Sequence, residues 1–336
     1  MRIWIDLANS PQVLFFRPIL EIFVERGHEL LITSRDFAQT VPLVERLGIK
    51  AACMGRHGGR SILRNAWANV ERVGQLFRWA RKQGTIHLAV SHNSYSQALA
   101  ARLLHIPFVT LMDYENQPLN HICFRLASRV VVPECFPSEA LARCGASRKV
   151  SKYPGFKEQV YLADSSSADD FVNEFHIPCG AVMIAMRPPA PWALYHRFEN
   201  PLFDEILHRL AQRDGTFIVF LPRVPEQADS ARRLGYPNVW VPPRVLDGPT
   251  LVRTVDMVIS GGGTMNREAA ILGTPAYTAF SGKPGAVDGE LIRLGRMVPI
   301  GRREDIEKIR VEKKHRPTPL LDGSLDQRLA DSILGL

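Results

Sequence analysis

The chain has 336 residues, 46% apolar and 23% charged, which allows full cores and suits two domains of about 150 residues each. Its net charge of +8 favours anionic partners, namely a phosphorylated small molecule or an anionic membrane surface. The basic residues are spread and no zinc-finger or RNP pattern occurs, so nucleic acid is not an expected partner.

No run approaches the roughly 18–20 apolar residues that span a bilayer. Arg2-Ile3-Trp4-Ile5-Asp6 reads as a first strand, not as the start of a signal peptide. The five cysteines, Cys53, Cys123, Cys135, Cys144 and Cys179, show neither metal spacing nor a paired pattern. They imply packing thiols in a reducing, cytoplasmic setting.

In chain order, Ile3–Leu7 reads as a strand and Val13–Glu25 as an amphipathic helix ending at Gly27. Glu29–Ser34 is a strand and Phe37–Leu47 a helix. Over residues 60–82, Leu63, Ala66, Trp67, Val70, Val73, Phe77 and Ala80 repeat at helical spacing and read as a core stripe. Arg64, Arg72 and Trp79 are expected on the opposite face, where an aromatic among arginines suits a solvated surface or the inner membrane face. Leu88–Ser91, Phe108–Leu111 and Arg129–Pro133 are short buried strands with helices between them. Lys149–Ser167, with Pro154, Gly155 and a Ser-Ser-Ser run, reads as the crossing between halves.

A second set follows. Ala181–Met186, Thr216–Leu221, Asn238–Val241 and Val258–Ser260 are strands; Pro201–Arg213 and Thr250–Val255 are helices. Ser324–Leu334 is a last helix, with Ser324 as N-cap. The expected organisation is a Rossmann-like domain over 1–150, a crossing over 151–180, a second Rossmann-like domain over 181–318, and a C-terminal segment over 319–336. Alternation of this kind predicts an α/β protein of two doubly wound parallel sheets facing a cleft, with ligands at the carboxyl ends of the strands.

The richest stretch is VDMVISGGGTMNREAAILGTPAY, from Val255 to Tyr277: a buried strand, a glycine turn, a helix, a glycine stop and a second strand. In the turn Ser260-Gly261-Gly262-Gly263-Thr264, glycines let backbone N–H groups approach a ligand closely. The helix N-terminus adds a positive dipole end, and the combination suits phosphate. A tight strand-to-helix turn without a ligand is the alternative. The dinucleotide G-x-G-x-x-G pattern lacks its third glycine and the P-loop lacks its Lys-Ser/Thr pair. Glu268 lies a little over one turn into the helix, within reach of a ribose.

Arg187 and Arg223 each stand at the carboxyl end of a strand on the same edge, where a guanidinium can grip a diphosphate. Loop capping or a surface ion pair is their other reading. Val245, in Pro242-Pro243-Arg244-Val245, can pack on a base or lie in a plain loop.

In the first half, Asn9 or Ser10 caps the next helix or meets a substrate there. His92, in Ser91-His92-Asn93-Ser94, is a candidate general base or a satisfied loop histidine. Asp113 and Glu115, in Met112-Asp113-Tyr114-Glu115, are candidate acid–base carboxylates, with Asp113 favoured as base. No Asp-x-Asp run or His/Cys cluster suggests a metal.

Gly262-x5-Glu268-x4-Gly273-x-Pro275 resembles the donor-site motif of GT-B glycosyltransferases of the lipid II-forming N-acetylglucosaminyltransferase type. It is also similar to the Ser-Gly-Gly…Glu motif of UDP-N-acetylglucosamine 2-epimerases. The chain as a whole more closely resembles an uncharacterised prokaryotic domain-of-unknown-function family grouped with these folds. The likeness is carried by IWIDLANSPQVLFFRPI, SQALAARLLHIPFVTLMDYE, YPGFKE and SGGGTMNREAAILGTPAY.

The resemblance implies a GT-B fold and a nucleoside-diphosphate sugar, such as a UDP-sugar, as substrate without a further cofactor. It places Ser260 to Thr264 on the phosphates and Glu268 on the ribose, and the last helix back on the first domain. The epimerases' Glu-Ala-Gly pattern is absent beside Asp113. Transfer of the sugar to a lipid- or glycan-linked acceptor is the leading expectation, with epimerisation and non-catalytic binding as alternatives.

Overall fold

Among the described residues each strand pairs only in parallel, and seven strands form one sheet in the order β3-β2-β1-β4-β5-β6-β7. They are β1 (Arg2–Leu7), β2 (Glu29–Asp36), β3 (Ala52–Arg56), β4 (Leu88–Ser91), β5 (Phe108–Leu111), β6 (Arg129–Pro133) and β7 (Val150–Tyr153). The central strands are near-continuous apolar runs because helices cover both faces. The strand order reverses between β1 and β4, and ligands collect at such a switch point. This computed structural model describes all residues except 38, 57–61, 164–176, 190–200, 245 and 316–317, together with the side chains of 62–66.

A second parallel sheet runs β10-β9-β8-β11-β12-β13. Its strands are β8 (Val182–Arg187), β9 (Thr216–Phe220), β10 (Val239–Trp240), β11 (Met257–Ser260), β12 (Ala276–Thr278) and β13 (Val298–Pro299). The reversal here falls between β8 and β11. Both sheets therefore carry the Rossmann-like order, and the fold is two doubly wound α/β units. Unit 1 comprises Met1–Tyr161, Gly285–Val287 and Asp322–Leu336; unit 2 comprises Leu162–Pro284 and Asp288–Leu321.

In unit 1, helix α1 (Ser10–Glu25) buries Val13, Phe15, Phe16, Ile19, Leu20, Ile22 and Phe23. The final helix, Leu325–Leu334, packs on α1 with Leu325, Leu329, Ala330 and Ile333 buried. Arg26 pairs with Asp331 at 2.7 Å, and Arg129 donates to the Ser332 carbonyl at 2.8 Å. Ser324 precedes this helix without a side-chain cap bond.

Three strands lie where the sequence pattern predicts none, the two-residue edge strand Val298–Pro299 being one. Ala52–Arg56 is an edge strand, too exposed to alternate clearly, and Val150–Tyr153 sits inside the stretch expected to cross between halves. The helix expected over Phe37–Leu47 is shorter, Thr40–Arg46.

The long helix Ile62–Lys82 keeps part of its predicted stripe, with Ala80 buried and Phe77 packed on the core, and overturns the rest. Arg72 is 1% exposed, and Trp79 packs against Trp4 with ring centroids 5.8 Å apart. Conversely Trp67 and Val70, expected in the core stripe, are 72% and 63% exposed. Among the described residues of the helix, the buried positions are Arg72, Leu76 and Ala80, four residues apart. The cause lies in β1: the buried Asp6 carboxylate requires a counter-charge, and Arg72 supplies it.

Candidate functional site

In unit 2 the glycine turn stands at the switch point, on the carboxyl end of β11 beside β8. Gly261 N–H donates to the Arg187 carbonyl at 3.0 Å, which joins the turn to β8. A Cβ on Gly261 would stand 2.6 Å from Pro189 N, so only glycine fits this crossing. Gly262 and Gly263 hold φ of +99° and +102°, conformations that side-chain-bearing residues rarely adopt.

Three polar side chains brace the turn. Ser260 Oγ donates to the Gly262 carbonyl at 3.1 Å, and Asn266 Nδ2 to the Ser260 carbonyl at 3.2 Å. Arg223 donates through Nε to Pro188 O at 2.8 Å and through Nη2 to Gly262 O at 3.2 Å. Arg223 thus spends two donors on the backbone around the turn, which is a scaffolding position.

The helix Thr264–Leu272 follows, with Gly263 at its N-cap and no side-chain cap bond. Ser260 and Gly261 are buried, whereas Gly263 is exposed and Thr264 half-buried. The helix therefore presents its first N–H groups and positive end at an accessible turn. Glu268 is buried one turn in, with Oε2 beside Gly248. Arg187, at the end of β8, keeps a buried Nε with no hydrogen-bond partner among the described residues. Burial pushes the Arg187 guanidinium below its ordinary range, and the Glu268 charge pulls it back up. The two ends of β8 and β11 so carry an anion-friendly turn with an arginine and an acid next to it. Val245 lies outside the described residues.

A second constellation occupies the carboxyl edge of the unit 1 sheet. His92, after β4, places Nε2 3.3 Å from Asp113 Oδ1, after β5. Lys157, after β7, places Nζ 2.7 Å from Asp113 Oδ2 and 3.9 Å from Glu158 Oε1. The side chains of His92, Asp113 and Lys157 are 11%, 5% and 12% exposed.

Local structure explains the placement. Asn93 adopts φ +60°, its N–H donating to Thr110 Oγ1 and its Nδ2 to Asn120 Oδ1. Gln12 bridges the Ala8 N–H and the His92 carbonyl at 2.7 and 2.8 Å, and Phe15 meets the imidazole edge-on. After β7, Gly155 turns at φ +83°, where a Cβ would strike Gln159, and Gln159 Oε1 accepts from Phe156 N–H at 2.6 Å. That turn delivers Lys157 to Asp113. Burial lowers the His92 pKa below its ordinary value; the Asp113 hydrogen bond raises it and the Lys157 charge lowers it further.

Sequence reasoning groups Asp113 with Glu115, whereas the structure separates them. Glu115 accepts from the Ala286 N–H at 2.9 and 3.1 Å, within unit 1, and is not part of the His92 cluster. Asn9 makes no side-chain cap bond, its buried Oδ1 having no partner among the described residues, while Ser10 Oγ accepts from Gln39 N–H. Spacing does not single out Lys157; the Gly155 turn just ahead of a Lys-Glu pair is the available signal. Among the described residues no group of His, Cys, Asp or Glu is arranged to hold a metal, and no helix is long and apolar enough to cross a membrane.

Comparison with known proteins fits this geometry. The uncharacterized protein MJ0665 of Methanocaldococcus jannaschii is 28% identical over 324 residues, covering 91% of this chain and 89% of that protein. UDP-GlcNAc 2-epimerase from Neisseria meningitidis, bound to UDP-GlcNAc, superposes with a TM-score of 0.77 at 13% identity over 100% of both chains. MurG of Acinetobacter baumannii superposes with a TM-score of 0.54 at 13% identity, again over 100% of both. These structural likenesses establish the GT-B fold. The family described as "Protein of unknown function (DUF354)" matches residues 1–320, and this chain belongs to it.

Proposed function

We propose that the chain binds a nucleoside-diphosphate sugar on unit 2 and transfers the sugar to a hydroxyl-bearing acceptor. The observation that carries the reading is the partly buried Arg187, its Nε enclosed, with the buried Glu268 beside an uncapped helix N-terminus and a glycine turn. In this reading the N–H groups at Gly262 to Thr264 and the Arg187 guanidinium take the diphosphate. Glu268 takes the ribose hydroxyls. Arg223 supports the turn, and no cofactor is needed because fixed N–H dipoles and a guanidinium neutralise the leaving diphosphate. The relatives whose names include UDP-GlcNAc support a UDP-sugar as the first ligand to test.

Unit 1 supplies the proton chemistry through His92 and Asp113. A second reading, epimerisation of the bound sugar, is favoured by two adjacent proton-carrying groups, His92 and Asp113, where transfer requires a single base. If the acceptor is membrane-borne, the exposed Trp67 and Val70 are the contact surface to test, by sedimentation with anionic vesicles.

Calorimetry with UDP, UDP-GlcNAc, GDP and dTDP against inorganic diphosphate tests the site. Tighter binding of at least one nucleotide than of diphosphate is expected, and equal binding of all overturns the assignment. Incubating the bound sugar nucleotide without acceptor then separates the reactions. Inverted sugar supports epimerisation. Unchanged sugar, followed by no product in an acceptor screen, leaves a binding protein.

A further inference from the structure

The contact between Lys157 and Asp113 draws a third residue into the unit 1 constellation. Asp113 has one oxygen toward His92 Nε2 and the other toward Lys157 Nζ. A carboxylate gripped at both oxygens is fixed in orientation, and it in turn fixes the ring it accepts from. Lys157 is itself held by the Gly155 turn and the Gln159 side chain, so its reach to Asp113 is set by the backbone.

We propose that Lys157 is the positioning residue of a three-member proton-exchange centre: it fixes Asp113, and Asp113 orients and tunes His92. This rests on the reading that unit 1 supplies the proton chemistry. A neutral imidazole that donates an Nε2–H hydrogen bond to Asp113 carries its proton-accepting lone pair on Nδ1. A substrate hydroxyl then loses its proton to Nδ1, and the ring becomes an imidazolium held by the Asp113 carboxylate. Lys157 exchanges no proton in this step. Its charge opposes the imidazolium and so favours the neutral imidazole.

Among the described residues, the charged groups that act on His92 are Asp113 and Lys157. Phe15 and Gln12, both from α1, contact it and carry no charge. Glu158 reaches the centre by way of Lys157. A change at position 157 is therefore read at His92 against the Asp113 charge.

The experiment follows the His92 imidazole by NMR in the full-length, ligand-free protein, its signals assigned with His92→Gln. Lys157→Gln is expected to raise the His92 titration midpoint by about one pH unit, and Lys157→Arg to restore it. Asp113→Asn is expected to lower the midpoint. Lys157→Met, which keeps the aliphatic stem, is the second neutral variant should Lys157→Gln not fold. An unchanged midpoint in a folded neutral variant, or no restoration by Arg, overturns the proposal. Nucleotide calorimetry on the unsubstituted protein is read separately. Absence of nucleotide binding with the expected His92 shifts rejects the sugar-nucleotide reading alone, and binding without the shifts rejects the role of Lys157 alone.

Discussion

Arg72 and Asp6 meet through two bonds, Nη1 to Oδ2 at 3.0 Å and Nη2 to Oδ1 at 2.7 Å, with neither side chain exposed. Thr33 and Ser94 hydroxyls donate to the same carboxylate, and Arg72 Nε donates to the Met54 carbonyl. One ion pair thereby ties β1, β2, β3 and two helices. Removing one partner leaves the other charge buried alone. Asp6→Asn and Arg72→Met should each cost about 3–5 kcal/mol in urea unfolding. The double variant Asp6→Leu, Arg72→Met should cost less than the sum, and strict additivity would show that the two are not coupled.

The turn residue Gly261 offers a sharper steric test. An added methyl would stand within 2.8 Å of three atoms of Pro189, two of them backbone. Gly261→Ala should displace the turn from β8, at about 1–3 kcal/mol, and weaken nucleotide binding by about tenfold or more. Gly74→Ala serves as control, since nothing lies within 4 Å of its Cβ position. In that helix interior it should stabilise by roughly 0.5–1 kcal/mol. Equal effects of the two substitutions would refute the steric argument.

Glu268 is assigned to a ribose and not to phosphate. Glu268→Gln should lower the affinity for UDP roughly 10- to 100-fold, the range of a lost hydrogen bond to a charged group. Affinity for inorganic diphosphate should stay nearly unchanged. Parallel losses for both ligands, measured by calorimetry, would remove the ribose role.

Burial holds the His92 pKa below its ordinary value, so the unfolded chain binds more protons there than the fold does. The contribution of His92 to stability is present in full above the unfolded pKa near 6.5. It is lost as pH falls from there through the folded pKa. Unfolding midpoints of the unsubstituted protein should decline over that acid window more steeply than those of His92→Gln. Identical pH slopes would show that His92 is not buried neutral.

The glycine turn was legible because its determinants are contiguous: strand, turn, helix and stop follow one another from Val255 to Tyr277. The Rossmann-like alternation was legible for the same reason, since apolar runs and glycine stops are local signals. Partnerships across the sheet were not. Arg72 looks like a surface residue until the register of β1 brings Asp6 beneath it. Lys157 gains meaning only when β7 takes its place beyond β6 and its loop returns to Asp113. The two carboxylates of Asp113 and Glu115 are neighbours in sequence, yet Glu115 turns away to the Ala286 N–H.

The helix Leu325–Leu334 belongs to unit 1, although all but a few residues between Tyr161 and Asp322 build unit 2. During synthesis, the apolar side of α1 that this helix covers waits until the second unit has been made. At ribosomal speeds that wait is roughly ten to thirty seconds. The first unit to emerge is therefore the last to be completed, and in the interval its exposed α1 surface is open to chaperones and to misassociation.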